Sequence, residues 1–414
     1  MTAEPSDQPR LTDSVGLGVL TSLVPRDLVD DVLGMTRKTE QRNRLLPARV
    51  VVYWVLALTL FYGDAYEEVM RKLVGGLRFL RSWRSDWTVP TTGAMARARA
   101  RLGEEPMAEL FSRVAQPIAG PGSPRAWYRG LRVMAIDGVV LDVPDTPSNA
   151  EEFGRSVNHL AESPFPQVRV VGLAECGSRA VLDAAMGPLA DYERALLRKI
   201  LPSFQPEMLV LADRGFFAFD LWNEARSSGA QLLWRVVKSL DLPVLEGLPD
   251  GSYRSQLLPK DLKADLRKGY RARAVAEQAV PVRVIEYSIP NRGGDQAVIR
   301  LVTSLLDPEQ APAIELAELY QQRWEFELAL DEIQTHQLGR PRVLRSKSPE
   351  MVRQEIWALL ITHYAIRHLM WQAADDVEDL DVDRVSFTRT LRLVRRHTTD
   401  QAGLSPLDPA PETP

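Results

Sequence analysis

Two aspartates and one crowded helix are the places in this 414-residue sequence where residue type and spacing suggest chemistry. Asp137 closes the apolar run Val133–Ile136, and Asp213 closes Leu209–Ala212. A carboxylate directly after a buried strand run stands at the rim of a sheet, where it can bind a divalent cation or act as a base. Each aspartate also opens a turn, Asp-Gly in one case and Asp-Arg-Gly in the other, so either one alone reads first as a turn former. The third place is YQQRWEFELALDEIQTHQLG, Tyr320 to Gly339, which carries more charge and aromatic weight than a packing helix needs. With Tyr320 at zero, Arg323 falls at about 300°, Gln334 at about 320°, Glu327 at about 340° and Trp324 at about 40° around a helix. Leu319, Phe326, Leu330 and Ile333 fall beside that arc, at about 220–280°. One helix therefore buries an apolar stripe and holds a Tyr/Arg/Glu stripe along its edge. Asp331, at about 20°, shares the face, so spacing alone does not choose between Glu327 and Asp331. An Arg323–Glu327 pair at i, i+4 is equally an ordinary surface pair, worth only a few tenths of a kcal/mol.

The elements that must position these residues follow from the apolar pattern. Residues 14–120 read as helices only, over 26–35, 47–61, 64–74, 76–83, 92–101 and 105–115. Residues 1–13 and the proline-rich 401–414 read as disordered. The turn-rich PGSPRAWYRG marks a boundary. From residue 131 the order becomes three strands, a helix, a strand ending at Asp213, a helix and a strand, which is an α/β unit over 131–239. Residues 240–308 are β-rich with Pro-Asp-Gly and Asn-Arg-Gly-Gly turns and read as an inserted subdomain. The remainder, 309–348, completes the α/β unit, and 349–400 is helical.

Bulk properties exclude several classes. Hydrophobic content of 45% and charge of 26% are those of an ordinary globular protein. A formal charge of −4 means that any nucleic-acid surface must be local. The single cysteine, Cys176, rules out an internal disulfide and a cysteine-rich zinc module. The apolar run Val50–Phe61 falls short of the roughly 20 residues that span a bilayer. With no basic-then-apolar leader, the expectation is a cytoplasmic protein that avoids membranes.

At this point the sequence resembles a family. Tyr320, Arg323 and Glu327, with a polar residue seven further on, are similar to the Y-R-E-K signature of the "family four" group of bacterial insertion-sequence DDE transposases. Further stretches agree in order and spacing: AMARARARLGEEPMAELF, IDGVVLDVPDTPSNAEEFGR, LADRGFF, RLVTSLLD, LAELYQQRWEFE and LRSKSPEMVRQEIW. The resemblance implies an RNase H-like catalytic core with a β-rich insertion, preceded by a helical DNA-binding domain and followed by C-terminal helices. It places the metal-binding catalytic acids at Asp137, Asp213 and Glu327. The ions would be Mg²⁺, with Mn²⁺ as a substitute, and two-metal in-line phosphoryl transfer suits such carboxylates. It also implies that Tyr320 and Arg323 hold a DNA phosphate near the metals. The family's lysine is Gln334 here, which can donate a hydrogen bond but adds no charge; Arg235 and Lys238 are candidates to compensate.

Other cations fall into groups suited to phosphate. Arg97 and Arg101 share one face of a helix after VPTTG, with Arg99 pointing roughly the other way. Arg342, Arg345 and Lys347 follow the Glu327 helix in RPRVLRSKS. Such contacts give affinity and salt dependence rather than sequence choice. The expected activity is binding of terminal inverted repeats, cleavage there and joining of 3′ ends to target DNA, within a homodimeric synaptic complex. The rival readings are an RNase H-like nuclease that cuts without joining, and a decayed or domesticated copy that only binds DNA.

Overall fold

The computed structural model describes residues 19–39, 46–75, 89–157, 162–259, 278–290, 296–339, 342–375 and 380–399. The expected disordered ends, 1–13 and 401–414, and the expected helix 76–83 lie outside the described residues. The chain divides into two compact units. One comprises residues 1–116, 141–167 and 330–414; the other comprises 117–140 and 168–329.

The first unit is helical. Its N-terminal part holds α1 (Val19–Leu23), α2 (Arg26–Met35), α3 (Ala48–Leu60), α4 (Tyr66–Gly75), α5 (Thr92–Leu102) and α6 (Glu105–Val114). The apolar run read as too short for a membrane is α3, which is buried on nearly all sides. Among the described residues no helix is long and apolar enough to cross a membrane. Thr91 caps α5 by accepting from the Ala94 N–H, and Gly103 ends it at φ +76°. The short α7 (Pro147–Phe153) also belongs to this unit. Arg99 is almost fully buried: its guanidinium donates to Gln354, the Tyr66 hydroxyl, Ser346 and the Met351 carbonyl. That network ties α5 to the long helix Pro349–Asp375, whereas Arg97 and Arg101 are exposed.

The second unit is built on a sheet. The strands are β1 (Trp127–Tyr128), β2 (Leu131–Asp142), β3 (Gln167–Glu175), β4 (Val181–Pro188), β5 (Met208–Ala212), β6 (Gln231–Arg235), β7 (Glu246–Gly247), β8 (Tyr253–Leu257), β9 (Val280–Pro290) and β10 (Gln296–Thr303). Their order is β4-β3-β2-β5-β6-β10-β9-β8-β7, with β1 paired to β2. The first five form the RNase H-like core, in which β2, β5 and β6 run parallel and β3 and β4 antiparallel. All five residues of β5 are buried, as a central parallel strand with apolar sequence requires. Between the strands lie α8 (Glu193–Ile200) and α9 (Phe219–Ser227). They bury Leu196, Leu197, Ile200, Leu221, Trp222 and Ala225 in a core that also holds Trp234 of β6. Trp222 meets Trp234 edge to face at 5.4 Å.

Among the described residues of the β-rich stretch 240–308, every strand joins the core sheet. β10 pairs with β6 antiparallel, Val302 opposite Trp234, so β7–β10 continue the core sheet past its fifth strand. Arg283 in β9 is fully buried and anchors this extension, donating to Asp250, Ser252 and the Ala311 carbonyl. The chain then enters α10 (Ala313–Leu319), a 3-10 turn (Tyr320–Arg323) and α11 (Trp324–Asp331). Next come a π-helical segment (Glu332–Gln337), α12 (Pro349–Asp375) and α13 (Phe387–Thr399).

Candidate active site

Parallel register places the two aspartates. Ile136 of β2 pairs with Ala212 of β5, the last pair on these neighbouring strands. Asp137 and Asp213 are the next residues on the two strands, so both stand at the carboxyl end of β5, where open α/β sheets bind their ligands. The Asp-Gly turn expected at Asp137 is absent: β2 continues to Asp142, and Asp137 lies within it just past its pairing with β5. Asp137 also accepts from the N–H of Gly138 at 2.8 Å.

The helix quoted above crosses this edge, and one glycine lets it approach. A Cβ on Gly172 of β3 would lie 2.8 Å from Cζ of Phe326, so the absent side chain is what seats Phe326 against the sheet. Glu325 on the flank of α11 pairs with Arg179 at 2.6 Å. Cys176 of the β3–β4 turn donates weakly to the Gln322 carbonyl. These contacts fix the rotation of α11 and aim its polar edge at the acids. Tyr320, buried, donates to the Ala212 carbonyl at 3.3 Å and lies 3.4 Å from Asp213 Oδ1. Arg323 Nη1 donates to Asp137 Oδ2 at 2.7 Å, and its Nη2 donates to Glu327 Oε1 at 2.8 Å. One guanidinium thus holds an acid from the sheet and an acid from the helix, and Arg235 lies 3.6 Å from Asp213.

Electrostatics agree with this crowding. Burial pushes the Asp137 carboxyl above its usual value; the Gly138 N–H and Arg323 oppose that, and Glu327 and Asp213 add to it. Burial and then the charge of Asp213 raise the Tyr320 phenol well above its usual value, which keeps its hydrogen for donation. Burial alone would lower Arg323, but Tyr320, Glu327 and Asp137 outweigh it and the guanidinium is held above its ordinary value. A half-buried carboxylate that needs a cation, beside two more carboxylates, is a donor set of hard oxygens suited to Mg²⁺ or Mn²⁺. Among the described residues no three His, Cys, Asp or Glu side chains converge closely enough to hold an ion as they stand. Arg323 occupies the space between two of the acids instead.

The other expected site residues are spread over the molecule. Lys238 is exposed beyond β6, and its carbonyl accepts from Arg300. Gln334 lies in the π-helical segment, so uniform rotation of 100° per residue does not describe its direction. That corrects the single arc expected for Tyr320, Arg323, Glu327 and Gln334, because the stretch opens as a 3-10 turn and closes as a π-helix. Gln334 belongs, with Arg342, Arg345 and Lys347, to the helical unit. Asp331, the rival third acid, accepts from Thr335, which also accepts from exposed Arg342. Arg345 donates to the Tyr62 and Asp64 carbonyls and lies over the Tyr62 and Tyr66 rings, while the Lys347 side chain is exposed. The sequence reading passed over Glu193, the first residue of α8. Its carboxylate lies against Gly138 and near Gly215, the glycines that follow the two aspartates; those glycines were the available signal.

Comparison with known proteins completes the description. A family model for the transposase DDE domain matches residues 128–364, and one for the insertion element 4 transposase N-terminal region matches residues 14–112. The transposase InsG for insertion sequence element IS4 of Escherichia coli K12 is 28% identical over 394 residues, 94% of this chain and 85% of that relative. The putative transposase InsZ of the same strain is 24% identical over 212 residues, 51% of this chain and 68% of that relative. Among solved structures, a piggyBac transposase synaptic complex with hairpin DNA superposes with a TM-score of 0.46 at 8% identity, covering 92% of this chain and 79% of that one.

Proposed function

Because the chain belongs to the insertion element 4 family of DDE transposases, we propose that it cuts DNA at the terminal inverted repeats of an insertion sequence and joins the 3′ ends to target DNA. The observation that supports this most is the guanidinium of Arg323 shared by Asp137 and Glu327, with Asp213 one strand away beneath Tyr320. Divalent-metal use is general for this domain, and Asp137, Asp213 and Glu327 are the residues we assign to it, with Mg²⁺ or Mn²⁺ as the ion. What divalent ions supply at such a site is activation of the attacking oxygen and stabilisation of the leaving one.

The chain's own groups do the positioning. Arg323 presents two N–H groups in a fork that fits a phosphate as well as it fits two carboxylates. Tyr320 keeps its proton and donates within the same edge. Arg235 and Lys238 extend the positive rim beyond β6. Gln334 supplies a neutral donor in place of a lysine. Arg97 and Arg101 on α5, and Arg342 and Lys347, are the cations assigned to phosphates along the repeat, and Arg345 takes this role on release from its carbonyls. Synapsis of two element ends calls for a homodimer.

The test is a strand-transfer assay with pre-cut repeat ends beside a cleavage assay with intact ends. Asp137→Ala, Asp213→Ala and Glu327→Ala each abolish both reactions and leave end binding in place. Joining that survives Glu327→Ala but fails in Asp331→Ala overturns the assignment of the third acid. Cleavage without joining by the wild type overturns the transposase reaction in favour of a nuclease.

A further inference from the structure

A non-glycine residue with positive φ is uncommon, and among the described residues every one is an arginine: Arg37, Arg125, Arg129 and Arg179. The last three lie in the sheet unit, and each reaches a carboxylate on the helices that lead into and carry the active-site stripe. Arg125, at φ +63°, sits in the turn ahead of β1, and Arg179, at φ +59°, sits in the turn between β3 and β4. These two turns are pressed together. A Cβ on Gly177, itself at φ +82°, would lie 2.8 Å from the Pro124 carbonyl oxygen and 3.1 Å from Cβ of Ala126. Both arginines converge on Glu325 of α11, which is nearly buried. Arg179 Nε donates to Glu325 Oε2 at 2.6 Å, and Arg125 Nη1 lies 4.0 Å from Oε1. Arg129, at φ +49° between β1 and β2, grips Glu315 of α10, donating from Nε at 3.1 Å and from Nη2 at 2.9 Å.

We propose that Arg125 and Arg179 are positioning residues for the reaction: through Glu325 they set the rotation of α11, and so the place of Glu327, while Arg129 braces α10 ahead of it. This deepens the transposase reading and rests on it. Left-handed backbone strains an arginine and leaves a glycine unstrained, so two such arginines at one carboxylate point to the side chain as the thing required. Glu325 precedes Glu327 by two residues, about 200° around an α-helix, so the two face nearly opposite ways. The clamp therefore holds the back of α11 while Glu327 meets Arg323 and, through it, Asp137. Contacts on opposite sides resist roll in both directions, which a pair on one side does not. Such control matters because a displacement of about 1 Å can lower a rate by about a hundredfold. The plainer account is an ion pair that stabilises the fold around a nearly buried glutamate. That account gives no reason for the strained turns, and it predicts that end binding and turnover decline together.

Joining of pre-cut repeat ends by the full-length protein is measured at saturating ends, beside end affinity and hydrogen exchange of the α11 amides. Arg179→Gly removes the side chain where glycine adopts the backbone without strain. Its turnover per bound end is expected to fall about tenfold or more, with end affinity within about twofold of wild type. Glu325→Ala should match it. Glu325→Gln keeps an oxygen for Arg179 Nε and Arg179→Lys keeps the charge, so each should recover part of the rate. These conservative variants keep the test intact should the larger changes fold poorly, because each should still join more slowly than wild type. Arg37→Gly, in the helical unit, controls for relief of backbone strain alone and should join as wild type does. The α11 amides should exchange about tenfold faster in Arg179→Gly, while those of β5 exchange as in wild type. Turnover at the wild-type level in both Arg179→Gly and Glu325→Ala overturns the proposal, and so does a loss of end affinity as large as the loss of turnover. A wild type that joins no ends refutes the reaction assigned above. Hydrogen exchange then still decides the clamp, which is overturned if the α11 amides exchange no faster in Arg179→Gly and Glu325→Ala than in wild type.

Discussion

Replacing Arg323 with alanine should destabilise the metal-free protein, and the size of the effect can be worked from its two contacts. The Arg323 side chain is 10% exposed, Asp137 21% and Glu327 36%. A hydrogen bond to a charged, mostly buried group contributes about 1.5–3 kcal/mol, and the lower end suits Asp137 because some water reaches it. The Glu327 contact is more than a third exposed, so solvent screening cuts it to roughly 0.5–1 kcal/mol. Together these give a cost of about 2–3 kcal/mol at neutral pH. Part of that cost is the Asp137 charge left without a partner, so a double-mutant cycle with Asp137→Asn should return a coupling of about 1–2 kcal/mol. Saturating Mn²⁺ should restore more stability to Arg323→Ala than it adds to wild type, because a bound cation replaces the missing guanidinium. Urea denaturation of the four proteins of the cycle, with and without Mn²⁺, is the assay. A cost below about 0.5 kcal/mol with coupling near zero would show that the guanidinium is not what holds the two acids together.

Asp137→Asn tests the raised Asp137 carboxyl through pH. Its folded value lies above the usual 3.8, so the folded state binds the extra proton between the two values, and wild-type stability falls relative to the variant as pH rises through that window. Denaturation midpoints should coincide on the acid side and separate toward neutral pH, with the variant the more stable; the opposite trend refutes the direction of the shift. Glu332→Gln should behave in the reverse sense. Burial alone would raise Glu332, but His363 and Arg367, both fully buried, outweigh it and hold the carboxyl below its usual 4.5. The ion pair therefore contributes at neutral pH and is lost as pH falls through the folded value, so the variant should lose about 3 kcal/mol at neutral pH and progressively less in acid. Gly172→Ala forces a methyl into Phe326 and should cost about 1–3 kcal/mol by denaturation. By displacing α11 it should also lower strand transfer more than it lowers end binding, and equal loss of the two would refute that route.

The readable parts of this molecule are those decided locally. α2 is found at Arg26–Met35 and α3 at Ala48–Leu60, because apolar spacing and the prolines at their starts act within a single segment. The same holds for β2 and β5, whose apolar runs stop at Asp137 and Asp213. Pairings between distant segments were not legible. Nothing in QLLWR announces that β6 will take β10 as its neighbour and carry the sheet onward, because that register is set by residues some seventy positions away. Helical spacing turns Arg99 away from Arg97 and Arg101, but nothing in the sequence of α5 says what receives it; its partners come from α4 and from the region of α12.

The Tyr320–Gly339 stretch shows why the site itself was only half legible. An even α-helix would keep Tyr320, Arg323, Glu327 and Gln334 in one line, and residue types alone gave no reason to doubt it. The structure breaks the line at both ends, with a 3-10 turn before Trp324 and a π-helix after Asp331. The α-helical piece between them holds Glu327, and Arg323 is the last residue of the 3-10 turn, so the i, i+4 pair survives while its phase against Gln334 does not. Irregular helix of this kind is tolerated where other contacts over-determine it. Here Phe326 against Gly172, Glu325 with Arg179, and Tyr320 on the Ala212 carbonyl fix the rotation from three sides. An Arg323–Glu327 pair on a free surface would be worth a few tenths of a kcal/mol and would carry no message. With its rotation fixed and Asp137 on the other arm of the same guanidinium, the pair becomes the link between sheet and helix, and that third partner is what spacing within one helix could not supply.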